Sequence, residues 1–184
     1  ALPILSDEDI RALSMQGTAG DETLQGYGTD DVMDGGAGVD TADYTGLTNA
    51  VNITLGGTNY GGDAAGDTLT NFENVIGTSF ADTLTGNAAA NYLAGGAGND
   101  LLSGGDGDDT LAGGAGVDTL NGGQGMDFVD YSASATAVSI NLSTWTALYG
   151  DAQGDQLSGV DGVIGTNFND TIIGFRSEEH TSEL

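Results

Sequence analysis

The sequence predicts an all-β fold in which short parallel strands stack into a solenoid, and three observations predict it. A nine-residue unit recurs in register, glycine recurs at fixed places within the unit, and each unit offers a large apolar residue near its end. From residue 77 the units read GTSFADTLT (77–85), GNAAANYLA (86–94), GGAGNDLLS (95–103), GGDGDDTLA (104–112), GGAGVDTLN (113–121) and GGQGMDFVD (122–130). A looser set precedes them, GTAGDETLQ (17–25), GYGTDDVMD (26–34) and GGAGVDTAD (35–43), and one copy follows, GTNFNDTII (165–173). A fixed repeat of supersecondary units is the mark of a solenoid, in which no single unit buries its own apolar face.

Within a unit, the glycines of GGxGxD permit positive φ and close backbone approach, so this half is a turn. Positions 7 to 9 place one large apolar residue between small or polar ones, which reads as a very short strand with one side chain inward. Two units make an 18-residue coil, and successive coils stack as parallel strands about 4.8 Å apart. Leu84, Leu102 and Leu120 then line one wall, and Leu93, Leu111 and Val129 the opposite wall.

Composition narrows the function. The 184 residues hold 28 Asp and Glu against two basic residues, Arg11 and Arg176, for a net charge of −26, with no Cys and one His, His180. Clustered Lys and Arg for a nucleic acid or an anionic membrane are missing. Disulfide and thiolate chemistry have no residues to act through. No apolar run reaches the ~20 residues of a membrane span, and the first residues do not read as a secretory signal. Leu, Ile, Val and Phe number 39 of 184, just above the ~20% level below which a highly charged chain stays disordered. Such a chain folds through periodicity or through neutralisation of its charge.

The repeat supplies a means of neutralisation. Stacking coils places position 6 on itself, giving one column of Asp82, Asp100 and Asp118 and another of Asn91, Asp109 and Asp127, with Asp127 at the end of the nonapeptide block. Unpaired carboxylates so close repel one another, and a hard divalent cation between them reverses the sign. Calcium suits the site, because it accepts six to eight oxygens in flexible geometry and glycine turns leave carbonyls free to supply them. Zinc would want His or Cys. The candidate ligands are Asp82, Asp100, Asp109, Asp118 and Asp127 with the turns Gly95, Gly96 and Gly98, Gly104, Gly105 and Gly107, Gly113, Gly114 and Gly116, and Gly122, Gly123 and Gly125. Asp31, Gly35, Gly36, Gly38 and Asp40 extend the set in the first block.

A longer repeat encloses the short one. Residues 40–86 match 127–174, pairing Asp43-Tyr44 with Asp130-Tyr131, AVNITL (50–55) with AVSINL (137–142), and GDAAGDTL (62–69) with GDAQGDQL (150–157). The expected organisation is the end of an upstream unit with a short helix (1–16), a first nonapeptide block (17–43), a connector (44–76), the main block (77–130), a second connector (131–164) and the start of a further repeat (165–175). Residues 176–184, RSEEHTSEL, break every pattern and read as a non-native tail. Ser6 as N-cap with acids in the next turn motivates the helix over 6–16. In the connectors, Asp63, Asp67, Asp151 and Asp155 suit calcium ligation or plain turn chemistry equally. Glu73 and Asp161 read as surface charges, and Tyr44, Tyr131, Phe72, Phe80 and Phe168 as packing at the corners.

The units at 95–130 resemble the GGxGxDxUx nonapeptide of the RTX, or haemolysin-type, calcium-binding repeat proteins at every defined position, and 35–43 does so with Ala42 as a small apolar member. The resemblance implies a right-handed parallel β-roll (a β-solenoid) with several Ca2+ ions in its turns, two longer connectors, and one module of a larger protein. It implies export through a type I secretion apparatus in an unfolded state and folding on calcium outside the cell, in the extracellular region or at the cell surface. No catalytic role is expected. A Ser-His or Cys-His pair is missing, HExxH is missing, and a thin solenoid offers no shaped pocket to its carboxylates. The alternative is a carbohydrate-binding or adhesive module on the same roll, with a glycan or cell-surface partner and Trp145 and Tyr149 as its stacking platform. An ice-binding solenoid would want a flat Thr ladder, which position 7 does not supply.

Overall fold

The computed structural model describes residues 15–28, 30–57 and 59–174. Its strands are β1 (Met15–Gln16), β2 (Thr23–Gln25), β3 (Val32–Asp34), β4 (Thr41–Asp43), β5 (Asn52–Thr54), β6 (Thr68–Thr70), β7 (Asn74–Ile76), β8 (Thr83–Thr85) and β9 (Tyr92–Ala97). They continue as β10 (Leu101–Asp106), β11 (Thr110–Ala115), β12 (Thr119–Gln124), β13 (Phe128–Asp130), β14 (Ser139–Asn141), β15 (Thr146–Leu148), β16 (Gln156–Ser158), β17 (Gly162–Ile164) and β18 (Thr171–Ile173). The only helical element among the described residues is a 3-10 turn at Gly150–Ala152.

Alternate strands go to opposite walls, as two units per coil require. One wall is a seven-stranded sheet in the order β17-β13-β11-β9-β7-β4-β2, and facing it is a five-stranded sheet in the order β16-β12-β10-β8-β5. Three-stranded sheets β1-β3-β6 and β15-β14-β18 carry the coils toward the two ends. Pairing within the walls is parallel and mostly 18 residues apart, with Leu84, Leu102 and Leu120 in register on one wall and Leu93, Leu111 and Val129 on the other. These six side chains are fully buried and belong to one continuous apolar cluster. The chain is therefore a parallel β-roll.

The connectors interrupt the 18-residue spacing without leaving the roll. Each adds one strand to either wall and one to a three-stranded end sheet: β7, β5 and β6 in the first, β17, β16 and β14 in the second. The second also folds β15 back antiparallel on β14, with Trp145 and Tyr149 in left-handed backbone at φ 53° and 64°.

Two expectations are corrected. Most of the helix expected over 6–16 lies outside the described residues, as do Arg11 and the tail 176–184, but Met15 and Gln16 form β1 and pair with β3. The reason is that Met15 stands 18 residues before Met33 and extends the inward ladder, which outweighs local helix propensity. Phe80 and Phe168 do not pack at corners. They occupy position 4, where complete units have glycine, and are 43% and 53% exposed.

One neighbouring pair tests the assignment of inside and outside. Leu102 is fully buried whereas Leu101 is 46% exposed. Leu102→Ala should cost about 2–5 kcal/mol through transfer and cavity, and Leu101→Ala no more than about 0.5 kcal/mol, in urea unfolding at fixed calcium. Equal losses would contradict the strand register.

Candidate metal centre

Each column is held by a repeated hydrogen bond. The backbone N–H of each aspartate donates to Oδ1 of the aspartate one coil on: Asp82 to Asp100, Asp100 to Asp118 and Asn91 to Asp109, each at 2.8 Å, and Asp109 to Asp127 at 2.9 Å. The turn delivers the N–H and the carboxylate to the same height on the axis, so the contact follows from the 18-residue period.

The columns run further than the nonapeptides. Asp118 donates to Asp155 Oδ1 at 2.9 Å and Asp127 to Asp161 Oδ2 at 3.0 Å. In the first block Asp31 donates to Asp67 Oδ1 at 2.8 Å and Asp40 to Glu73 Oε2 at 2.9 Å. The column thus continues past Asp127 and the nonapeptide block, and Glu73 and Asp161, read as surface charges, are also column members; Asp161 is exposed and Glu73 partly buried. Asn91 donates its side-chain amide to the Glu73 carbonyl at 2.8 Å, a bond that a carboxylate cannot make.

The second carboxylate oxygens divide the members into two groups. Among the described residues, five carboxylate oxygens are buried without any hydrogen-bond partner: Oδ2 of Asp40, Asp100, Asp109, Asp118 and Asp127. Each belongs to a unit with the full GGxGxD turn. Elsewhere the protein satisfies the second oxygen itself. Asp82 Oδ2 accepts from the Thr78 N–H at 2.5 Å and from its hydroxyl at 3.1 Å, and Asp31 Oδ2 from the Tyr27 N–H at 2.6 Å. Asp67 and Asp155 Oδ2 each accept a tyrosine hydroxyl at 2.8 Å, from Tyr44 and Tyr131.

The glycines explain the room around the orphaned oxygens. At Gly104, a Cβ would fill the space between Asp109 Oδ2 and the Gly122 carbonyl, which would lie 2.6 Å from it. Gly95 stands in the same relation to Asp100 Oδ2 and the Gly113 carbonyl, 2.8 Å from such a Cβ. Gly114 has φ 99°, and a Cβ there would enter the Gly96 carbonyl. The first glycine thus keeps open a space bordered by a carboxylate and a backbone carbonyl, and the second allows the turn to reverse. Among the described residues no three Asp, Glu, His or Cys side chains converge as a cage, and the oxygens that border the open space are one carboxylate and one backbone carbonyl. An all-oxygen, partly anionic set fits a hard divalent cation such as calcium.

Burial is a cost shared by the column carboxylates, for Asp67 and Asp155, whose second oxygens are met by tyrosine, are also pushed up to about 6. Burial pushes Asp100 up to about 6, offset in part by the Asp82 N–H and reinforced by Asp118 and Asp82. Burial likewise pushes Asp109 up to about 6, and raises Asp118 and Asp127. No Lys, Arg or His stands among the described residues to answer these charges.

The family model described as RTX calcium-binding nonapeptide repeat (4 copies) matches residues 14–43, 72–102 and 95–129. No curated protein matches the chain.

The raised carboxylates set a pH dependence. A group whose folded value is raised binds more protons folded than unfolded, so its contribution to stability is full below its unfolded value and is lost as pH rises through the folded one. For Asp100 and Asp109 that window runs from about 4 to about 6. The metal-free chain should therefore be more structured at pH 4.5 than at pH 7.5 in far-UV circular dichroism. Asp100→Asn with Asp109→Asn should weaken the pH dependence without abolishing it, because burial also pushes Asp67 and Asp155 up to about 6, and a metal-free chain that gains structure as pH rises would contradict this reading.

Proposed function

The chain belongs, through residues 14–43 and 72–129, to the RTX calcium-binding nonapeptide repeat family, and from that membership we propose that it is a calcium-folded module of a larger secreted protein. The repeats are a calcium-binding, non-catalytic module. In the finer reading, one ion serves each of the five GGxGxD units at 35–43 and 95–130, held by Asp40, Asp100, Asp109, Asp118 or Asp127 and by carbonyls of the glycine turns. Blocks 17–43 and 77–130 carry the ions and residues 44–76 and 131–164 join them. The observation that carries this reading is the confinement of the five orphaned oxygens to the five complete turns.

The energetics favour a switch. Modules that work outside cells bind calcium at ~10⁻⁴–10⁻³ M. Free calcium tenfold above Kd adds about 1.4 kcal/mol per site, or roughly 7 kcal/mol for five, as large as the net stability of a small domain. Where free calcium is far below Kd, the same carboxylates repel and keep the chain open, which suits passage through a type I secretion channel. Where calcium is millimolar, the roll closes. Among the described residues no helix is long and apolar enough to cross a membrane, and the family is typical of secreted proteins.

Far-UV circular dichroism in chelator and in millimolar calcium tests the proposal. The β spectrum should appear only with calcium, and titration calorimetry should count about five ions. A β-rich spectrum that chelator leaves unchanged would sink it.

A further inference from the structure

The five orphaned oxygens do not share the same surroundings. Beside four of them, a Cβ on the first glycine of the unit would touch a backbone carbonyl of the next coil: Asn71 for Asp40, Gly113 for Asp100, Gly122 for Asp109 and Gly159 for Asp127. Beside the fifth, Asp118, the nearest atoms are different. The three closest to a Cβ on Gly113, all within 2.9 Å, belong to Asp118 itself. The residue in the matching place is Gly150, which follows Gly113 by the same 37 residues that separate Asp155 from Asp118. Gly150 opens the 3-10 turn, and its carbonyl accepts the Gln153 N–H at 3.3 Å.

The same turn brings a carboxylate. It packs against β11, which contains Gly113 and Gly114, and a Cβ on Gly154 would lie 3.4 Å from the Val117 side chain. Residues 150–155 therefore lie over the 113–118 turn, and Asp151 is the acidic residue of the 3-10 turn. Its N–H donates to Ser134 Oγ at 3.1 Å. Asp151 is half-buried, and among the described residues its carboxylate accepts no hydrogen bond. Burial raises Asp118, the Asp100 N–H offsets part of this, and the charge of Asp151 raises it further. The first connector holds the duplicate of this arrangement in closed form. Asp63 stands in the place of Asp151, and it accepts the Thr48 N–H at 3.3 Å and the Asn49 amide at 2.9 Å. Ala135 and Thr136 replace that threonine and asparagine in the second copy. Asp31, the partner of Asp67, has its Oδ2 met by the Tyr27 N–H. Only the second copy combines an orphaned oxygen with an unengaged carboxylate.

We propose that Asp151 is a second carboxylate ligand of the cation held by Asp118, so that block and connector build this site together and it binds calcium most tightly of the five. The proposal rests on the calcium reading of the complete turns and adds a ligand from outside them. A charged oxygen stands in for the neutral carbonyl of the other four sites, and ligand charge is one of the quantities that set calcium affinity. A hard cation between Asp118 and Asp151 also turns their repulsion into attraction. The two aspartates of GDAQGD divide the work. Asp155 is saturated by the Asp118 N–H and the Tyr131 hydroxyl and sets the height of the rung, while Asp151 meets the ion.

Calcium titration of the whole chain in competition with a chromophoric chelator resolves the ions by affinity. The unsubstituted chain should show one ion about tenfold tighter than the rest. Asp151→Asn is isosteric and has no accepted hydrogen bond to lose. It should weaken that ion about tenfold and raise the calcium midpoint of folding, while Asp63→Asn leaves the tightest ion unchanged. A bystander charge would act in the opposite sense, because its removal relieves repulsion on Asp118 and lowers the midpoint. An unchanged tightest ion or a lowered midpoint in Asp151→Asn overturns the proposal and leaves the calcium reading standing, as does equal weakening in Asp63→Asn. A chain that binds no calcium overturns the calcium reading and the proposal with it.

Discussion

The constraint on which everything else depends is the stacking of carboxylate on carboxylate. A roll with an 18-residue period must repeat whatever stands at position 6 once per coil, and here that residue is nearly always acidic. Unit charges one strand spacing apart, about 5 Å, repel by roughly 3 kcal/mol at an effective dielectric of 20. The N–H to Oδ1 bonds from coil to coil offset part of this, but they engage only one oxygen of each group. The buried second oxygen is the open question of every coil, and the chain's behaviour follows from how it is answered.

The sequence answers in several ways. Threonine at position 2 lets Thr78 clamp Asp82, and Thr166 does the same for Asp170, donating its N–H at 2.6 Å and its hydroxyl at 2.8 Å. Asparagine at position 6 replaces an acceptor by a donor at Asn91. Tyrosine closes the two connector rungs. Where glycine stands at positions 1, 2 and 4, no side chain is available and the oxygen stays orphaned. The glycines therefore do more than permit the turn: they exclude the protein's own donors from the space a cation needs. Within the main block the incomplete turns of 77–94 precede the complete turns of 95–130, and the columns pass from these to Asp155 and Asp161 of the second connector.

Much of this was legible in the residues. The walls follow from one apolar residue per unit, and the inner columns from the same period, because both need only counting by 18. The continuation of the columns was not legible, because Asp67, Asp155 and Asp161 lie 36, 37 and 34 residues from their partners, and counting cannot find them across an insertion of unknown shape. Glu73 was hidden for the same reason, with a longer side chain doing an aspartate's work at a separation of 33. The signal that pointed to them was the internal duplication, which sets Tyr44 with Asp67 and Tyr131 with Asp155 in matching places. Met15 was missed because a capping pattern competed with a period that had one apolar member left to count.

The central claim is that a cation stands where the protein leaves a carboxylate oxygen without a partner. The most direct measurement compares two isosteric variants by calcium titration calorimetry and the calcium midpoint of folding. Asp109→Asn removes the charge from an orphaned oxygen, and Asp82→Asn removes it from one clamped by Thr78. Asp109→Asn is predicted to lose at least one ion and to raise the calcium midpoint, while Asp82→Asn keeps the full count. Equal ion loss in both variants, or loss in Asp82→Asn alone, would contradict the account.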